Sequence, residues 1–79
     1  DIEKKTDVYD AKTSLQEIVQ RKKMGTIRYI LVAERGPEHA KEFECAVCIN
    51  RVQYGTGVGH NKKEAEQKAA YATLVMLKQ

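Results

Sequence analysis

The apolar residues of this chain change period twice, and that switch limits the fold more than any other feature. Leu15, Ile18 and Val19 recur at the spacing of one buried helical stripe. From residue 29 the period falls to two. Tyr29, Leu31 and Ala33 alternate in a first strand, and Phe43, Cys45, Val47 and Ile49 alternate against Glu42, Glu44, Ala46 and Cys48 in a half-buried second. A third run, residues 52–58, is weakened toward its end by Gly55 and Gly57. Helical spacing then returns, with Ala65, Ala69 and Thr73 as a stripe of small residues flanked by Ala70, Leu74 and Leu77. Small side chains let such a helix sit close on a sheet. The order α-β-β-β-α, with one apolar face shared by both helices, predicts an α+β domain: a three-stranded antiparallel sheet with two helices packed on one face.

Local signals place the joints. Asp10 can cap the first helix, whose exposed first turn holds Lys12 and Thr13, and Gln16, Glu17 and Gln20 also fall outside the buried stripe. Gly25 is expected to end that helix, after a basic run (Arg21, Lys22, Lys23) that suits the negative end of its dipole. Residues 35–41 (RGPEHAK) hold the only proline, beside a glycine, and read as a loop. Asn50 and Arg51 read as a tight turn, because asparagine accepts a positive φ. Asn61 is a good N-cap for the second helix, and Glu64 three residues on completes a capping box. Residues 1–9 lack sustained periodicity and read as a linker stub or frayed start, leaving residues 10–79 as the domain.

Size and composition exclude several classes. At 79 residues the chain is one small domain, too small for a large catalytic cleft with its own supporting shell. Its 42% apolar and 32% charged content fits a soluble globular fold. No apolar run exceeds that of residues 29–33, far short of a membrane span, so no membrane is expected as partner, and the small size leaves no small-molecule substrate expected either. The chain begins with Asp rather than Met and opens on no signal peptide, as expected of a piece of a longer protein. Cys45 and Cys48 form a Cys-x-x-Cys, but zinc takes four ligands and only His39 and His60 could join them. Residues three apart on a strand point to opposite faces, with Cα atoms roughly 10 Å apart, beyond disulfide reach. Cys45 is expected in the core and Cys48 free, as suits a reducing cytoplasm, with no metal or cofactor in this chain.

Catalysis finds no support. No Ser-His-Asp set is suggested, and the acidic residues are scattered singly, whereas two-metal hydrolysis needs carboxylates converging on one spot. The stretch GTGVG at 55–59 fits neither G-x-G-x-x-G nor G-x-x-x-x-G-K-[ST]. Fourteen basic against eleven acidic residues give +3, a balance that permits nucleic-acid binding without demanding it. Its distribution is more telling. Lys62 and Lys63 share the first turn of the second helix, where the dipole repels cations and favours anions. On this pair alone, solvated surface lysines and a phosphate site fit equally well. His39, displayed on the Gly-Pro turn, and the polar face of the first helix are two further patches with no assigned role.

Together these patches resemble a known family. The stretches DAKTSLQE at 10–17, GPEH at 36–39 with Phe43 following, Gly55-x-Gly57-x-Gly59, KKEAEQ at 62–67, Ala69-Ala70 and Leu74 occur in the order and spacing of a double-stranded-RNA-binding domain, specifically the C-terminal one of bacterial ribonuclease III. The chain departs at Asn61, where the family usually has serine, and at Thr73, where it has alanine. Glu66 stands where many eukaryotic members carry a lysine of the basic motif, which fits the bacterial branch and removes one phosphate contact.

The resemblance implies binding of A-form RNA by shape. Such RNA hides its base edges in a narrow major groove and displays 2′-hydroxyls in a wide minor groove. By the resemblance, Thr13, Gln16, Glu17 and Gln20 enter one minor groove and the loop with Pro37 and His39 enters the next. Asn61, Lys62 and Lys63 clamp the phosphates across the intervening major groove. The footprint spans about 16 base pairs and is largely blind to sequence. The chain is then the non-catalytic, substrate-binding module of a cytoplasmic, homodimeric, Mg²⁺-dependent endoribonuclease, and is itself expected to be monomeric. A protein-interaction or dimerisation module on the same fold is the alternative, and it would be expected to lose His39 or the lysine pair. A single-strand binder would display stacking aromatics on an open sheet face, whereas Tyr29 and Phe43 fall on the helix-covered stripe. No Gly-x-x-Gly loop supports a KH domain.

Overall fold

The computed structural model describes residues 11–78, so the expected stub and the Asp10 cap lie outside the described residues. The chain runs α1 (Ala11–Lys22), β1 (Ile27–Arg35), a 3₁₀ turn (Glu38–Ala40), β2 (Glu42–Ile49), β3 (Val52–Gly59) and α2 (Lys62–Lys78). The strands form one antiparallel meander in the order β1-β2-β3, as the period switch predicts. Leu15 and Val19 of α1, Val47 and Ile49 of β2, and Ala69, Ala70 and Leu74 of α2 meet in one buried cluster. Cys45 is buried and unbonded, and Cys48 is half-buried.

The glycines of β3 set the distance between sheet and helix. Gly55, Gly57 and Gly59 repeat every second residue, and Ala65, Ala69 and Thr73 repeat every fourth on α2. These periods advance about 6.6 and 6 Å, so each glycine lies beneath one small helical residue. A Cβ on Gly57 would meet the Ala69 backbone nitrogen at 2.3 Å, and one on Gly59 the Ala65 nitrogen at 2.7 Å. The glycines therefore serve close approach of the helix rather than strand flexibility.

One buried hydroxyl repairs a gap in the ladder. Between the pairs Ala46↔Thr56 and Cys48↔Gln53 the register slips, so Tyr54 and Gly55 both lie opposite Val47. The Gly55 N–H turns instead to Thr73 Oγ1 at 3.0 Å, and that hydroxyl donates to the Ala69 carbonyl at 2.9 Å. Threonine at 73 is thus a polar bridge as well as a small residue. Thr73→Val should cost about 1–3 kcal/mol, because it leaves a buried donor unsatisfied, while Thr73→Ser should cost less. Thermal melts that rank Val at or above Ser would refute the bridge.

Three sequence expectations are corrected. Helix α1 turns out at Lys23, at φ 55°, before Gly25 is reached. Lys23 N–H donates to the Gln20 carbonyl and Met24 N–H to that of Val19, a Schellman closure that brings Met24 onto the core. In β1, Leu31 pairs with Cys45 and Ala33 with Glu44, so Val32 is an unpaired extra residue and Leu31 is 39% exposed rather than covered. Ala46, on the outward side of β2, is fully buried, because Ile30 and Thr56 flank it on the neighbouring strands. The expected tight turn is present, with φ of 52° at Asn50 and 70° at Arg51, as a type I′ hairpin requires.

Candidate nucleic-acid interface

All nine candidate residues are exposed, and they fall on three elements. Thr13, Gln16, Glu17 and Gln20 share the solvent side of α1, because Ala11, Leu15 and Val19 turn the other side inward. Gln16 and Gln20 also line an open groove between α1 and the start of β1. The register pair Phe43↔Gly59 puts the β1–β2 connection and the start of α2 at one end of the sheet.

Pro37 and His39 sit on a braced loop. Gly36 has φ 93°, and a Cβ there would press on the Ala40 carbonyl at 2.6 Å, so the position demands glycine. Ala40 N–H donates to the Pro37 carbonyl and closes a 3₁₀ turn that carries His39, an ordered element where the sequence predicts only a loop. Two ion pairs clamp the stem, Arg35–Glu44 at 3.1 Å and Lys41–Glu34 at 3.3 Å. The bulge at Val32 makes the first possible, since it returns Arg35 to the face that carries Glu44.

At the start of α2 the orphan N–H groups are partly satisfied. Asn61 Oδ1 accepts from Glu64 N–H at 2.8 Å, and the Asn61 carbonyl accepts from Ala65 N–H. Glu64 reaches back as a capping box would, but to His60 N–H at 2.7 Å, one residue short of the expected Asn61 N–H. That bond, helped by the Lys68 ammonium against a modest desolvation, holds the Glu64 carboxyl below the ordinary glutamate range. The cap therefore stabilises the fold above the ordinary glutamate value and is lost as pH falls through the depressed one. Asn61 spends its carbonyl oxygen on the cap, which leaves its amide N–H₂ free to donate outward. The N–H groups of Lys62 and Lys63 have no acceptor among the described residues, and both ammonium groups are exposed there without an ion pair. An amide, two backbone donors and two cations thus meet at a positive helix end, which suits a phosphate oxygen.

Lys12 and Glu66 were not legible as partners. Lys12 is half-buried rather than exposed: it pairs with Glu66 and lies 4.9 Å from the Tyr29 ring centroid. The pair brings the first turn of α1 beside the start of α2 and so helps fix the spacing of two of the three patches. Burial, and secondarily the Glu66 charge, push the Tyr29 hydroxyl up to about 12, so it remains protonated as a packed ring. Among the described residues no three of His, Cys, Asp and Glu converge as metal ligands would, and no helix is long and apolar enough to cross a membrane.

Comparison with known proteins agrees with this geometry. The family described as double-stranded RNA binding motif matches residues 11–77. The chain is 51% identical over 72 residues to Ribonuclease 3 of Anoxybacillus flavithermus, covering 91% of this chain and 30% of that protein. It is 56% identical over 64 residues to Ribonuclease 3 of Mycolicibacterium paratuberculosis, covering 81% of this chain and 27% of that protein. Among solved structures, Arabidopsis HYL1 superposes with a TM-score of 0.73 at 37% identity, covering 87% of this chain and 97% of that one. The chain thus spans less than a third of the length of these curated relatives.

Proposed function

The chain belongs to the double-stranded RNA binding motif family, and on that premise we propose that its three exposed patches read an A-form duplex by shape. Thr13, Gln16, Glu17 and Gln20 exchange hydrogen bonds with 2′-hydroxyls in one minor groove, where Glu17 can only accept. Pro37 and His39 enter the next minor groove on their braced turn. Asn61, Lys62 and Lys63 hold the phosphates between. The observation that carries this assignment is the cradle at the start of α2, where donors and cations face solvent without a carboxylate partner. Because the relatives named Ribonuclease 3 are about three times as long as this chain, we further propose that the chain is the RNA-holding module of such an endoribonuclease. In that protein Mg²⁺-assisted cleavage and dimerisation reside outside residues 11–78, and the isolated chain is monomeric. Free thiols at Cys45 and Cys48 suit a cytoplasmic protein.

Titration with duplex RNA, duplex DNA and single strands checks this directly. Duplex RNA should bind best and remain uncut with or without Mg²⁺. His39→Ala should cost about 1–2 kcal/mol on RNA, the scale of one lost hydrogen bond and its stranded partner, and less on DNA. Equal affinity for all three nucleic acids would refute shape reading, and equal loss on RNA and DNA would remove His39 from the 2′-hydroxyl groove.

A further inference from the structure

At the end of the sheet opposite the loop, the C-terminus of α1 meets the β2–β3 hairpin. The Asn50 N–H donates to the Thr26 carbonyl, and the open Cα side of Gly25 lies against the Asn50 side chain. Five cations gather there: Arg21, Lys22, Lys23, Arg28 and Arg51. No carboxylate occurs in residues 18–33 or 45–63, the two segments that build this end. Among the described residues Lys12, Arg35, Lys41 and Lys68 all form ion pairs, and none of these five does.

The helix dipole accounts for Arg21, Lys22 and Lys23 only. Arg28 lies on β1 and Arg51 in the β2–β3 turn, both outside that helix, and they line one groove with Thr26, Cys48 and Asn50. Backbone conformation adds an independent observation. Positive φ at a non-glycine residue occurs three times in the described chain, at Lys23, Asn50 and Arg51, and all three are here. Glycine would be the less strained choice at Lys23 and Arg51, yet both positions carry a cation. Mutual repulsion among these cations adds to that strain, and a polyanion relieves the repulsion.

We propose that this end is a further RNA-phosphate contact, separate from the three patches described above and resting on the duplex-RNA assignment. The exposed stripe of α1 leads to it: Arg21 follows Glu17 by one helical turn, and Lys23 closes the same helix. A duplex seated on Thr13, Gln16, Glu17 and Gln20 therefore passes the cationic end as it continues beyond the basic footprint of about 16 base pairs. A second duplex is the other source of the same phosphates.

The test substitutes Lys23→Gly and Arg51→Gly together, which removes two charges while easing both backbones, so thermal stability should hold or rise. Binding is measured across a salt series with a duplex of about 16 base pairs and with one roughly twice as long. The slope of log K against log salt should flatten by roughly 0.7–0.9 for each cation removed. Flattening on the longer duplex alone identifies the same RNA continuing past the domain. Flattening on both lengths, with a second short duplex bound per chain in the wild type, identifies a second RNA. Wild-type slopes on both lengths, while Lys62→Ala with Lys63→Ala still flattens them, would overturn this contact and leave the three-patch assignment intact. Failure of the wild-type chain to bind duplex RNA at all would overturn both.

Discussion

Gly57→Ala is expected to destabilise the domain strongly, lowering the melting temperature by about 12 °C or more, on a scale of 4–8 °C per kcal/mol for a domain this small. The added methyl would sit 2.3 Å from the Ala69 nitrogen and 2.6 Å from both the Lys68 carbonyl carbon and the Lys68 Cβ. Two of these three neighbours are helix backbone and cannot rotate away. Relief requires α2 to lift from β3, which would open the contacts of Ala65 and Thr73 along the same seam. Overpacking commonly costs about 1–3 kcal/mol and occasionally more, and a clash with backbone belongs to the upper end. A domain this small has only about 5–15 kcal/mol in hand. Thr56→Ala, one residue away on the outer face, should change stability by less than about 0.5 kcal/mol. Circular-dichroism melts of the two variants decide the matter, and comparable midpoints would show that α2 does not rest on the glycines.

That seam separates what local pattern reveals from what it hides. The small-residue stripe of α2 and the glycines of β3 are each visible in sequence, but their fit depends on two periods advancing together across the interface. The bulge at Val32 was hidden for a different reason. Residues 29–33 are all apolar, so an extra residue leaves no mark on the alternation. Thr73 reads as merely small because its partner, Gly55, lies 18 residues away and is exposed as a donor only by a register slip. Lys12 and Glu66 are 54 residues apart, beyond any local rule. Gly25 misled because glycine is the usual left-handed terminator, whereas Met24 could reach the core only if the chain turned at Lys23. The candidate site rests on signals of a different kind. Its residues lie on exposed turns, caps and helix faces, where residue type and spacing are local signals, and the structure leaves all nine at the surface.

Asn61→Asp offers the sharpest separation of fold from binding, because aspartate caps a helix about as well as asparagine does. Its carboxylate would accept from Glu64 N–H in place of Asn61 Oδ1, and its charge would favour the positive helix end. Stability should therefore hold or rise. Binding should collapse, since the substitution replaces an outward N–H₂ donor with a negative charge where a phosphate would sit, between Lys62 and Lys63. Losing a charge-assisted hydrogen bond costs about 1.5–3 kcal/mol, and like-charge opposition adds to it, so affinity for duplex RNA should fall by at least about 100-fold. Lys62→Ala with Lys63→Ala approaches the same point from the other side. The salt slope should flatten by roughly 0.7–0.9 per lysine, equally for duplexes of any sequence, because phosphates carry no base information. Melting temperature should again hold or rise slightly as repulsion at the helix end is relieved. A folded Asn61→Asp variant that binds duplex RNA like the wild type, or a lysine double variant with an unchanged salt slope, would remove the phosphate cradle from the start of α2.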